Sequence, residues 1–285
     1  MIKKMFNYKI YNEDCINTMH RLANKGQKVD IILTSPPYNT GKPYISEISR
    51  NNYDGRYDIY MDTKTPKDYR DWIVDIFNHF NSILTKNGVI LWNVSYGTNA
   101  IVNAGYIGLV WLTIADIINK TPFTVADKIV WKKNSALPNN SSKNKLTRIV
   151  EDIFVFARKD EYTTFNANKE ISGIGKNGQT FYKCAYNIIE APNNDGTCDL
   201  NKATYSSDLC EQLLKLYGKE NYLVYDPFNG TGTTGVACKR LKMNYIGSEI
   251  SEAQCIYSED RLNGNLEVSK TNNKVKSITK TNKLF

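Results

Sequence analysis

Tyr222-Leu223-Val224-Tyr225-Asp226-Pro227-Phe228-Asn229-Gly230-Thr231-Gly232-Thr233-Thr234-Gly235 is the stretch from which the fold can be read. Its first four residues are a short apolar, β-rich run, and a helical pattern opens at Thr234 and lasts to Leu241. Between them, glycines at 230, 232 and 235 satisfy G-x-G-x-x-G, a spacing that permits a tight turn and close approach of backbone to a ligand. A second strand follows at Tyr245-Ile246-Gly247, and Glu249 stands just past it, 19 residues beyond Gly230. An acid there commonly accepts hydrogen bonds from ribose hydroxyls. Strand, glycine turn, helix, strand and acid, in that order, predict a nucleoside-containing cofactor. The pattern alone does not separate a dinucleotide from S-adenosylmethionine.

Working outward, strands alternate with helices along most of the chain. Strands are expected at 8–11, 29–34, 89–94, 128–131, 152–156, 222–225 and 245–247, and helices at 17–23, 66–84, 100–119, 207–216, 234–241 and 252–262. The longest helix is the clearest. Thr65 is a good N-cap, Pro66 suits the first turn, and Tyr69, Trp72, Ile73, Ile76, Phe77, Phe80, Ile83 and Leu84 recur at spacings of three and four, with Gly88 as the expected stop. The stripe reads as core. This alternation predicts an α/β fold with a doubly wound, mostly parallel, seven-stranded sheet. Residues 40–64 read as a long loop, a mobile flap over a site, and 160–200 as a small irregular lobe.

Val29-Asp30-Ile31-Ile32-Leu33-Thr34 runs into Ser35-Pro36-Pro37-Tyr38-Asn39. Adjacent prolines forbid helix and ladder pairing, so the backbone leaves the sheet in a stiff turn. A Pro-Pro pair by itself merely ends a strand. Here a hydroxyl and carbonyl acceptors stand beside an aromatic ring, just past the carboxyl end of a strand, where open α/β sheets bind ligands. Such a corner suits an amino group on a flat ring. It offers no hydride chemistry, and Asp226 ahead of the glycines suits an α-ammonium better than a phosphate. Both details favour S-adenosylmethionine over a nicotinamide cofactor, which an oxidoreductase on the same loop would use.

The chain has 285 residues, 37 basic against 29 acidic, for a net charge of +8, which favours polyanionic partners. The basic segment Lys132–Arg148, with Lys132, Lys133, Lys143, Lys145 and Arg148 and no acid, is the candidate DNA-contact stretch. Six scattered cysteines and two histidines predict neither a zinc site nor a disulfide framework, and no metal is expected. With no signal pattern and no long apolar run, a cytoplasmic protein without a membrane segment is expected. The last 21 residues carry five lysines and one acid and read as a disordered basic tail.

With these two motifs in this order, the chain resembles the DNA amino-methyltransferases of the circularly permuted β group over roughly residues 8–264. The resemblance implies an S-adenosylmethionine-dependent methyltransferase fold with a target-recognition lobe. Its divisions are 1–131 (first catalytic half), 132–200 (DNA contact and target recognition, including a core strand near 151–158), 201–264 (cofactor half) and 265–285 (tail). It makes Ser35, Pro36 and Tyr38 the catalytic turn, with Pro37 as rigid spacer. Asp226, Pro227, Phe228, Gly230, Gly232, Thr233 and Glu249 become cofactor residues, joined by Thr34 and by Asp14-Cys15 at the cofactor's adenine. On sequence alone, Asp14 reads as a helix cap. Ala203–Leu209, with Thr204, matches a segment that packs on the cofactor, although Tyr205-Ser206 stands where Phe-Pro is usual. Leu-Thr-Ser-Pro-Pro-Tyr resembles the version acting on cytosine N4, with adenine N6 as the alternative. DNA is the implied substrate, reached by base flipping. A cognate restriction endonuclease and a monomer or homodimer complete the implied setting.

Overall fold

The computed structural model describes residues 6–39, 59–60, 62–95, 108–136, 138, 140, 143, 146–165, 167–196, 198, 200–201, 203–268 and 275–277. Most of the loop expected at 40–64, the start of the helix expected at 100–119, Lys145 and much of the tail lie outside the described residues.

In chain order the elements are β1 (Tyr8–Asn12), α1 (Cys15–Asn24), β2 (Val29–Thr34), α2 (Pro66–Ile83), β3 (Leu84–Val94), α3 (Gly108–Lys120), β4 (Phe123–Lys133) and β5 (Val150–Arg158). There follow β6 (Ile171–Ile174), β7 (Thr180–Tyr182), β8 (Ile188–Ala191), α4 (Ser207–Tyr217), β9 (Leu223–Asp226), α5 (Thr233–Arg240), β10 (Asn244–Glu249) and α6 (Glu252–Asn263). The short pair β11 (Leu266–Val268) and β12 (Val275–Ser277) ends the series.

The main sheet has eight strands in the order β1-β10-β9-β2-β3-β5-β4-β8. Neighbours are parallel except at β3·β5 and β5·β4, which are antiparallel. The eighth strand, β8, lies inside the stretch expected to be irregular. It is an edge strand that buries only Ile189 and Ala191, so its apolar signal is thin. Part of the expected tail is also paired, as the antiparallel β11·β12 ribbon.

Successive residues of a strand face opposite sides of the sheet, and both sides are covered. Ile31, Leu33 and Val224 pack with Leu213 of α4, Cys238 of α5 and Leu262 of α6. Ile32, Trp92 and Tyr225 pack with Leu22 of α1, Phe77 of α2 and Ile117 of α3. α2 begins as expected, with Thr65 Oγ1 accepting from the Asp68 amide at 3.1 Å. It ends earlier than expected, at Leu84 rather than Gly88. β3 starts directly at Leu84 and bulges through Asn87 (φ 58°), and a Cβ on Gly88 would stand 2.8 Å from Leu84 Cγ. Among the described residues, no helix is long and apolar enough to cross a membrane.

The order of the sheet decides where a ligand can sit. From β9 the chain crosses through α5 to β10 on one side, and from β2 through α2 to β3 on the other. β9 and β2 are parallel neighbours, so their carboxyl ends border the crevice at this switch of direction.

Candidate active site

Thr34 ends β2 and Asp226 ends β9, and Thr34 Oγ1 donates to Asp226 Oδ1 at 2.6 Å across 192 residues of sequence. The proline turn and the glycine turn therefore leave adjacent strands side by side. A cleft of about 890 Å³ opens there, and Ser35 and Pro37 line it together with Pro227, Phe228, Gly230 and Thr233. Asp14, Cys15, Thr204 and Glu249 complete the expected residues on its wall.

The glycine turn is built for close approach. Gly230 and Gly232 hold φ values of 51° and 78°, and a Cβ on Gly232 would lie 2.2 Å from Ser258 Oγ. Glu249 braces the turn by accepting from the Gly230 amide at 2.8 Å through Oε2 and from Ser251 at 2.9 Å through Oε1. Asp14 caps α1, accepting from the Ile16 amide at 2.8 Å, so the helix-cap reading and the place on the cleft wall both hold. Burial, reinforced by Asp14, pushes the Cys15 thiol well above its ordinary range, making it a neutral wall.

Asp226 departs from expectation. It is 1% exposed and is spent internally: Oδ1 accepts from Thr34 and from the Phe228 amide at 3.0 Å, and Oδ2 accepts from Thr234 at 2.7 Å and Tyr205 at 3.2 Å. With four donors already converging on it, the carboxylate fastens the two turns rather than facing the cleft. Thr34 and Gly232 likewise support the wall from behind. Tyr205, at the position where phenylalanine is usual, supplies a hydroxyl that phenylalanine lacks. Ser206, beside it, caps α4 through the Leu209 amide.

The proline turn is anchored from α2, where the Tyr69 hydroxyl donates to the Pro37 carbonyl at 2.9 Å. Ser35 Oγ lies 2.6 Å from the Tyr38 hydroxyl. Tyr38 faces a second, smaller cavity of about 370 Å³, walled by Tyr69, Trp92, Val94, Leu109 and Ile114. Aromatic side chains thus border the space behind the turn.

Some lining residues escaped the sequence reading. By its spacing Trp72 falls in the core stripe of α2, but it is half-buried and its ring stands 5.6 Å from that of Phe228, on the cleft wall. Tyr60, Asn201, Ile250 and Gln254 line the cleft without any local motif to mark them. Two lysines of the basic segment have ion-pair partners. Lys132 and Lys133 belong to β4 and pair with Glu190 at 2.7 Å and Glu151 at 2.5 Å. Glu190 and Glu151 come from the neighbouring strands β8 and β5; the Lys133–Glu151 pair is largely buried, and the Lys132–Glu190 pair is exposed. Lys143 and Arg148 are exposed. Among the described residues, no group of three or more His, Cys, Asp or Glu is placed to hold a metal.

The sequence profile of a family described as DNA methylase, covering N6 and N4 methyltransferases, matches residues 29–260. The chain belongs to that family. Among DNA methylase relatives, the type II methyltransferase M.BglII of Bacillus subtilis is 26% identical over 264 residues, spanning 86% of this chain and 66% of the relative. M.Cfr9I of Citrobacter freundii is 24% identical over 284 residues, spanning 90% and 87%. Among solved structures, the cytosine-N4-specific PvuII DNA methyltransferase superposes with a TM-score of 0.63 at 17% identity, covering 90% of this chain and 93% of that one. The complex of M1.HpyAVI with S-adenosylmethionine superposes at 0.58 and 23% identity, covering 90% and 99%. The fold of this DNA methylase is thus that of known methyltransferases.

Proposed function

We propose that this protein transfers a methyl group from S-adenosylmethionine to the exocyclic amino nitrogen of a flipped DNA base, with cytosine N4 as the target. The observation that carries the proposal is the placing of Ser35 and Gly230 on one cleft. The residues fit the cofactor. Thr204 Oγ1 is buried on the cleft wall with no partner among the described residues, an acceptor and donor in waiting. Phe228, Trp72 and Ile250 offer apolar faces to a purine, and Glu249 offers lone pairs to ribose hydroxyls. Bound there, S-adenosylmethionine supplies an electrophilic sulfonium methyl.

The rest of the chemistry falls to the chain. An exocyclic amino nitrogen is a weak nucleophile because its lone pair is delocalised into the ring. Ser35 Oγ and the Pro36 carbonyl accept the amino protons, which favours a pyramidal nitrogen whose lone pair is free to attack. Pro37 keeps the turn stiff, and Tyr38 stacks on the base, an interaction worth on the order of 1–3 kcal/mol. No covalent intermediate is required, and the proton shed after transfer passes to solvent or a nearby acceptor. A neutral serine at the head of the turn supports cytosine.

Outside the duplex-facing cleft, the β6–β7 hairpin exposes Ile171, Ile174, Phe181 and Tyr182 among Lys169, Lys176 and Lys183. Lys183 is paired with Glu170, and the exposed rings together with Lys169 and Lys176 support a DNA-contact role for the 160–200 lobe. The restriction-modification setting, with a cognate endonuclease, follows from the kinship with type II methyltransferases.

The test is to incubate a random DNA library with the protein and cofactor and to sequence it with base-resolved detection of modified cytosine and adenine. N4-methylcytosine within a short shared sequence is the expected result. N6-methyladenine would reassign the base, and no mark at all, with NAD binding in calorimetry, would favour an oxidoreductase instead.

A further inference from the structure

Asn93 stands at the carboxyl end of β3, on the strand next to β2, and is 1% exposed. Its Nδ2 faces three oxygens: the Tyr38 hydroxyl at 2.7 Å, Glu151 Oε2 at 3.0 Å and Ser35 Oγ at 3.4 Å. Its Oδ1 is buried and has no partner among the described residues. The neighbours decide which end of such an amide is which. Glu151 pairs with Lys133 at 2.5 Å, and a carboxylate so paired offers only lone pairs. The NH₂ end must therefore face Glu151, which fixes Oδ1 as an acceptor at the opposite edge. Buried carbonyl oxygens are rarely left unsatisfied without a reason.

We propose that the Asn93 carboxamide reads the amino-bearing edge of the flipped base, and that the Glu151–Lys133 pair locks its orientation. This rests on the methyltransferase reading and names the residue that selects the base within that same site. The hydrogen-bond inventory closes. One Nδ2 proton stays on Glu151 and the other, now on the Tyr38 hydroxyl, passes to the ring nitrogen beside the amino group. Oδ1 then accepts an amino proton, which it shares with the acceptors of the proline turn. Cytosine presents donor then acceptor along this edge and matches the locked amide. Uracil presents acceptor then donor and would require the amide to rotate, bringing Oδ1 against the Glu151 carboxylate. Asn93 is thus a specificity-determining residue and Glu151 a positioning residue.

The test uses duplexes carrying the sequence identified by the library experiment, with cytosine or uracil at the target, each opposite an abasic position so that leaving the stack costs the same. With S-adenosylmethionine saturating, the wild type should bind the cytosine duplex at least tenfold more tightly. Asn93→Ala should erase that preference and slow turnover on cytosine by about a hundredfold, while cofactor affinity stays within threefold. Glu151→Gln should shrink the preference with cofactor affinity unchanged, because glutamine tolerates either end of the amide. Should Asn93→Ala fold poorly, the near-isosteric Asn93→Leu, which lacks both the donor and the acceptor, gives the same readout. A preference that survives both substitutions at 93 overturns the proposal, as does a Glu151→Gln defect confined to cofactor binding. A wild type that methylates neither adenine nor cytosine in the library overturns the methyltransferase reading itself, and this proposal with it.

Discussion

Asp226 shows how a residue can matter to a site without touching the ligand. Burial raises its carboxyl above the ordinary 3.8, and bonds from Thr34, Thr234, Phe228 and Tyr205 offset only part of that rise. A raised folded-state value means that the native state holds its proton more tightly than the unfolded chain does. The stability from this group is full below the unfolded value and is lost as pH rises through the folded one. Asp226→Asn keeps one acceptor oxygen but turns an NH₂ group on the two donors that faced the other, and should cost about 1–3 kcal/mol at low pH. The asparagine bears no charge, so the gap in melting temperature between wild type and variant should narrow from pH 4 to pH 8. A gap that widens would mean the carboxylate is stabilised by its setting. The sequence placed Asp226 at the start of the turn correctly but could not show that its lone pairs were spoken for, since two of its donors, Thr34 and Tyr205, are remote in sequence.

At the scale of elements, the fit of α5 against its neighbours sets the shape of the glycine turn. A Cβ on Gly235 would stand 2.8 Å from Tyr245 Cε1 on β10 and 3.1 Å from Leu262 Cδ2 on α6, and both side chains are buried. Gly235→Ala should push α5 outward, cost about 1–3 kcal/mol by overpacking and weaken cofactor binding in calorimetry. An alanine variant as stable as the wild type would show that the helix can shift freely. Elements with a strong period were legible from the residues alone, α2 above all, because its stripe serves one buried face. β8 was not legible, because an edge strand with only two inward residues looks like a loop. The end of α2 was misread for a related reason. Gly88 resembles a helix stop, but it is needed inside β3, where the backbone carbonyl of Asp30 would lie 3.0 Å from a Cβ.

At the scale of the molecule, the two motifs are distant in sequence and adjacent in space because β2 pairs with β9 at the switch in sheet order. Each motif was readable locally. Their meeting was not, since strand order is a property of the whole sheet and entered only through the family resemblance. The same holds for the lysines of β4. In sequence they form a basic run with no acid, yet the partners Glu190 and Glu151 come from neighbouring strands, and the Glu151 pair uses the charge of Lys133 internally while Lys132 and Glu190 stay at the surface. We propose the β6–β7 hairpin as a further DNA-contact surface. If exposed Lys176 meets a phosphate there, Lys176→Ala should weaken DNA binding and reduce the slope of log affinity against log salt by about one. An unchanged slope would move the contact elsewhere. The most direct test of the shared cleft is single-turnover methyl transfer by Ser35→Ala, at saturating DNA and S-adenosylmethionine, with cofactor affinity measured in parallel. The predicted result is a fall in rate of roughly a hundredfold or more with cofactor affinity within about threefold of wild type. An unchanged rate, or a loss confined to cofactor binding, would contradict it.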